Sequence, residues 1–175
     1  VGDSVSVSPV AGERTRAIAG GVRFEAQAIR KQLVWSPDSR FLLFRHGQPP
    51  QMNFAVVTVA TGEIVNLLPD SLGGRVRTVG NALTGPPVWS PGSDGVAFLA
   101  GRTDRFGPLE VVYLARRDSD GRWSVRPIVS DGVEKTALGW SARHLAWASR
   151  ERDGRAHVGI ATIEGDTIGP EVRVS

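Results

Sequence analysis

The chain has 175 residues, with 21 basic and 18 acidic side chains, a net charge of +3 and no cysteine. Its length and 41% hydrophobic content are enough for a sizeable core, and the missing thiols exclude disulfide staples, zinc–cysteine clusters and cysteine nucleophiles. No apolar run approaches the roughly eighteen residues of a membrane-spanning helix, and 21 glycines with 11 prolines suit a turn-rich β protein.

The first segment, residues 1–30, reads as half of a repeating unit. Val5-Ser6-Val7 followed by Ala11-Gly12-Glu13 parallels Val57-Thr58-Val59 followed by Thr61-Gly62-Glu63, and Gly20-Gly21-Val22-Arg23 parallels Gly73-Gly74-Arg75-Val76-Arg77. Both glycine pairs are expected in turns. Residues 31–70 then give a complete unit. Val34-Trp35-Ser36-Pro37-Asp38 leads through a turn into the apolar run Phe41 to Phe44, a loop spans Arg45 to Asn53, and a strand from Phe54 to Val59 precedes a glycine turn and a fourth strand. Proline presets φ at the second turn position, and Asp, Ser and Gly tolerate the rest of the turn geometry.

The pattern recurs over 85–130, with Val88-Trp89-Ser90-Pro91-Gly92 and Val96 to Leu99. It recurs again over 136–175, with Gly139-Trp140-Ser141-Ala142-Arg143 and Leu145-Ala146-Trp147. Short β-rich runs bounded by such clusters read as hairpin-connected strands, and no long segment has helical periodicity. Self-similarity at this period marks a repeat architecture. The sequence therefore predicts an all-β chain of three four-strand units and one half unit, with Trp35, Trp89 and Trp140 packed between neighbouring units.

On these residues the chain resembles the WD40-like PD40 repeat of TolB-type bacterial β-propellers. Trp35-Ser36-Pro37-Asp38-Ser39 with Phe41 to Phe44 matches closely, and Trp89-Ser90-Pro91 with Val96 to Phe98 matches well. The third copy keeps Trp140-Ser141 and loses the Pro-Asp-Gly turn. The resemblance implies an incomplete propeller of about 3.5 blades, whereas closed rings have about four to eight. Because an unclosed propeller leaves two sheet edges exposed, the chain is expected to belong to a longer one, to form half of a two-copy ring, or to be completed by a partner, and its start at Val1 without methionine favours the first. The resemblance also implies an extracytoplasmic setting, periplasmic or membrane-associated, and a non-enzymatic scaffold or interaction role beside an envelope or membrane complex. Its alternatives are the propeller part of an enzyme (a peptidase cap or a polysaccharide lyase) or the sensor domain of a membrane kinase, because fold does not fix function.

All but two of the basic residues, Lys31 and Lys135, are arginines. In alternating blades, the loops entering the first strand and those joining strands two and three share one face. That face collects the excess positive charge, including Arg23, Arg45, Arg75, Arg77, Arg102, Arg105 and Arg152, with His46 in the same loop as Arg45. Forked guanidinium donors suit a carboxylate-rich protein partner. Trp123, opening an outermost strand, is a further contact candidate, since aromatics with a polar edge favour interfaces.

No catalytic constellation emerges. Ser141 lacks the second glycine and strand-to-helix context of a nucleophile elbow. His46, His144 and His157 occupy different repeat positions and do not converge on a metal. No cofactor is expected, and no stacking motif points to nucleic acid.

Overall fold

The computed structural model describes residues 3–7, 16–22, 33–48, 51–68, 86–104, 107–165 and 167–175, and every regular element among them is a β-strand. β1 (Asp3–Val7) and β2 (Arg16–Val22) form a two-stranded antiparallel sheet. Gly20 and Gly21, expected in a turn, lie inside β2.

Three larger antiparallel sheets follow, each a meander in chain order. The first is β3 (Val34–Trp35), β4 (Phe41–Gln48), β5 (Gln51–Thr58) and β6 (Ile64–Asn66). The second is β7 (Val88–Trp89), β8 (Gly95–Asp104), β9 (Gly107–Arg117) and β10 (Trp123–Val129). The third is β11 (Glu134–Ser141), β12 (His144–Arg150) and β13 (Ala156–Glu164), with β14 (Thr167–Ile168) and β15 (Val172–Val174) both paired to β13. Gly169-Pro170 interrupts what would otherwise be one fourth strand, because proline has no amide to give the ladder.

The tryptophan-serine motif closes its own turn. Ser36 Oγ donates to Asp38 Oδ1 (2.7 Å) and accepts from Phe41 N (2.9 Å), while the Ser36 amide donates to Phe41 O. Ser90 Oγ does the same, donating to Asp94 Oδ1 (2.6 Å) and accepting from Asp94 N and Gly95 N. Both serines are buried, with every polar group satisfied inside the turn. Ser39 and Ser93 adopt left-handed φ values of 60° and 62° to complete it. The third unit lacks Pro-Asp, and there Ser141 pairs directly with His144 in a tight hairpin that leaves the serine exposed.

The second sheet is covered on both faces. Val96, Phe98, Ala100, Val111, Tyr113 and Ala115 pack against Phe41, Leu43, Phe54 and Val56 of the first sheet. The alternate residues Ala97, Leu99 and Val112 pack against Leu145, Trp147, Ala161 and Ile163 of the third. Burial on both faces is why β8 reads as an unbroken apolar run, whereas β12 and β13 alternate between buried and accessible residues.

Side-chain hydrogen bonds tie neighbouring sheets together. Trp89 Nε1 donates to Val34 O (3.0 Å), and Asp38 N donates to Ser93 Oγ (3.1 Å). Arg116, paired with Asp94 at 2.8 Å, donates from Nη2 to Gly165 O at 2.6 Å. Trp140 lies against Gly95, where an added Cβ would stand 3.1 Å from the indole.

Candidate interaction surfaces

Of the three repeat tryptophans, Trp89 is 7% exposed and Trp140 packs on the seam between the second and third sheets. Trp35 departs from the expectation of a packed residue: it is 45% exposed, together with Leu33 and Ile64. Trp35, Leu42, Val57 and Ile64 form one cross-strand row, of which only the two middle members are buried. The motif sets the turn, and the neighbouring sheet sets the burial.

Among the described residues, Arg45, Lys135 and Arg155 of the predicted basic loop face are buried or ion-paired. Arg45 lies in strand β4 rather than in a loop and is only 4% exposed. The expected loop 45–53 is mostly ladder, with pairing continuing from Arg45↔Phe54 to Gln48↔Gln51. Lys135 is fully buried, donating to Asp131 Oδ1 and Val133 O. Burial opposes the charge on Asp131, but hydrogen bonds from Lys135 and the Val133 amide hold its carboxyl below the usual carboxylate range. Arg155 is neutralised by Asp153 (2.7 Å) and Glu151 (3.0 Å). Arg152 is exposed in the turn after β12.

His46 and Arg102 lie in strands β4 and β8, and only their backbone is described. Arg23, Arg75, Arg77 and Arg105 fall outside the described residues. Trp123, expected as a contact candidate, is partly buried against the core. It packs edge-on against Phe41 (6.3 Å) and Trp89 (6.1 Å), at the seam between the first two sheets.

The outer face of the third sheet is an open apolar surface. Two cross-strand rows, Ala137–Ala148–Val158–Val174 and Gly139–Ala146–Ile160–Val172, carry no polar side chain. Val158, Val172 and Val174 are 40%, 61% and 52% exposed. Sequence reading did not single out this face. Its signal was available in the small residues at alternate positions of Leu145-Ala146-Trp147-Ala148, which mark a sheet face with little side-chain cover.

The opposite face of the same sheet hides a polar group of residues in the seam with the second sheet. Ser149 pairs with His157, Trp147 pairs with Gly159, and all four share one face. Trp147 Nε1, Ser149 Oγ and His157 Nε2 are buried and make no hydrogen bond within the chain. His157 lies between two carboxylates, with Nδ1 3.7 Å from Glu151 Oε1 and Nε2 3.9 Å from Glu171 Oε1. Among the described residues no three carboxylate or histidine side chains are grouped to hold a metal ion.

No protein-family model matches the chain, and no curated protein matches it either. Solved structures do. A protein described as TolB from Agrobacterium tumefaciens superposes with a TM-score of 0.57 at 15% identity, over 99% of this chain and 57% of its own. TolB from Acinetobacter baumannii superposes with a TM-score of 0.54 at 15% identity, over 95% of this chain and 37% of its own. The chain thus spans less than two thirds of the length of either neighbour. Identity this low speaks for the fold alone, and the fold is an all-β array of four-stranded propeller blades similar to part of TolB.

Proposed function

We propose that the chain is a non-enzymatic protein-interaction module of bacterial envelope machinery, working outside the cytoplasm as an accessory to a membrane complex. The observation that carries this reading is the open outer face of the third sheet. Eight apolar residues in two aligned rows, three of them valines at least 40% exposed, form a surface of the kind that marks interaction sites on soluble proteins. The likeness to TolB propellers supports the envelope setting. The PD40-type motif at Trp35 and Trp89 supports a scaffold made of repeats. Arg152, exposed in the turn after β12, favours an acidic partner, steering its approach.

The test is light scattering of the purified chain over a concentration series, beside a Val158→Asp/Val172→Asp double variant of unchanged circular dichroism. Self-association through this face predicts a mass that rises with concentration in the parent and stays monomeric in the variant. A parent that stays monomeric throughout removes self-association, and crosslinking in envelope fractions then decides between another protein and none. Crosslinks that avoid residues 137–174 would overturn the reading.

A further inference from the structure

Three polar atoms stand out in the seam between the second and third sheets because the chain gives them nothing to bond. Trp147 Nε1 can only donate, Ser149 Oγ can donate and accept, and His157 Nε2 can do either according to tautomer. Each belongs to a residue at least nine-tenths buried, and each lacks a hydrogen bond. Each such group loses on folding the water it bonded in the unfolded chain, so three together in one place call for a compensating partner.

The ladder brings them together. Ser149 stands directly opposite His157, Trp147 directly opposite Gly159, and the two rows are adjacent on one face. Glu171, immediately before the outer strand β15, completes the ring. A Cβ placed on Gly159 would meet Trp147 Nε1 at 2.5 Å and Glu171 Oε1 at 2.6 Å, so the indole N–H and the carboxylate border the same point. The 3.9 Å from His157 Nε2 to Glu171 Oε1 is too long for a hydrogen bond and suits one water between them.

We propose that Trp147, Ser149, His157 and Glu171 form an internal hydration site, in which ordered water bridges the indole, hydroxyl and imidazole to the Glu171 carboxylate. The donor and acceptor inventory meets the two to four polar partners that a buried water needs. The site has a structural consequence. Glu171 immediately precedes β15, whose Val172 and Val174 belong to the open apolar face, so the water fastens the strand that carries part of that face to the β12–β13 hairpin.

The experiment reads water–protein cross-relaxation at the Trp147 indole proton in the intact chain, the resonance being assigned by its loss in Trp147→Phe. The proposal predicts a cross-peak from water resident for longer than nanoseconds. Its absence overturns the site. Glu171→Gln keeps an acceptor and should retain the cross-peak. Glu171→Leu should lose it and speed amide exchange at Val172–Val174 by about tenfold, the signature of a strand released locally. Arg173→Gln breaks only the ion pair that Arg173 makes with Glu171 (3.2 Å) and should change neither reading. If it reproduces the acceleration of Glu171→Leu, the strand is held by that ion pair and the water's role is overturned.

Discussion

The second and third sheets are both antiparallel meanders, and their surroundings differ. The second lies between two neighbours, and its central strands are buried on both faces from Val96 to Ala100 and from Val111 to Ala115. The third has one covered face, and its strands alternate between Leu145, Trp147, Ala161 and Ile163 inside and Ala146, Ala148, Val158 and Ile160 outside. Position in the array, more than strand sequence, decides what a residue contributes. The same contrast divides the tryptophans, since Trp89 is enclosed by Phe41, Trp123 and Val34 O while Trp35 is half open.

Truncating the two tryptophans tests that contrast most sharply. Trp89→Ala should cost about 3–5 kcal/mol as a core truncation, and Trp35→Ala about 1 kcal/mol, both by denaturant unfolding. Equal costs would mean that Trp35 is covered in solution.

The glycines of the third sheet offer the next test. Gly159→Ala drives a methyl group into Trp147 and Glu171 and should cost about 1–3 kcal/mol by overpacking. Gly139→Ala, on the open face with nothing within 4 Å, should stay within about 0.5 kcal/mol. A large loss at Gly139 would show that something packs on that face.

The turn serines come third. Ser90→Ala removes a buried hub of three hydrogen bonds and should cost about 1–3 kcal/mol. Ser141→Ala, exposed in its tight hairpin, should be nearly silent in the same melts.

The smallest effect is acid sensitivity at the turns. Burial opposes the charge on Asp38, yet hydrogen bonds from Ser36 and Arg40 outweigh it and hold its carboxyl at about 2. A carboxyl depressed in the folded chain contributes stability above its unfolded value of about 3.9, and that stability is lost as pH falls through the folded value. Melting temperatures should therefore drop between about pH 4 and pH 2, and Asp38→Asn should flatten part of that slope. An unchanged slope would remove the Ser36–Asp38–Arg40 turn as its source.

The repeat and its strand order were legible because Trp-Ser-Pro and glycine turns punctuate the chain at matching positions. Burial was less legible, since it depends on what faces a residue across a seam. Arg45 looked like loop because it opens a polar stretch, Arg-His-Gly-Gln, but a ladder needs only backbone, and pairing runs on through Gln48. Lys135 looked like surface charge, and it is buried because Asp131 lies four residues back to receive it. Ser149 and His157 carried no signal at all, because a buried polar cluster is made of residue types that normally face water. The open face of the third sheet could have been read from its alternating alanines, had strand pairing been known.

The described side-chain hydrogen bonds between sheets lie toward one end of the blades. Asp38 to Ser93 joins the turns that follow the first strands of the first and second sheets, Trp89 to Val34 lies beside them, and Arg116 to Gly165 joins the ends of the third strands of the second and third sheets. Directional bonds resist sliding and twisting more strongly than apolar contact does. A load applied along that turn rim would therefore have to break these bonds before neighbouring blades could slide past one another.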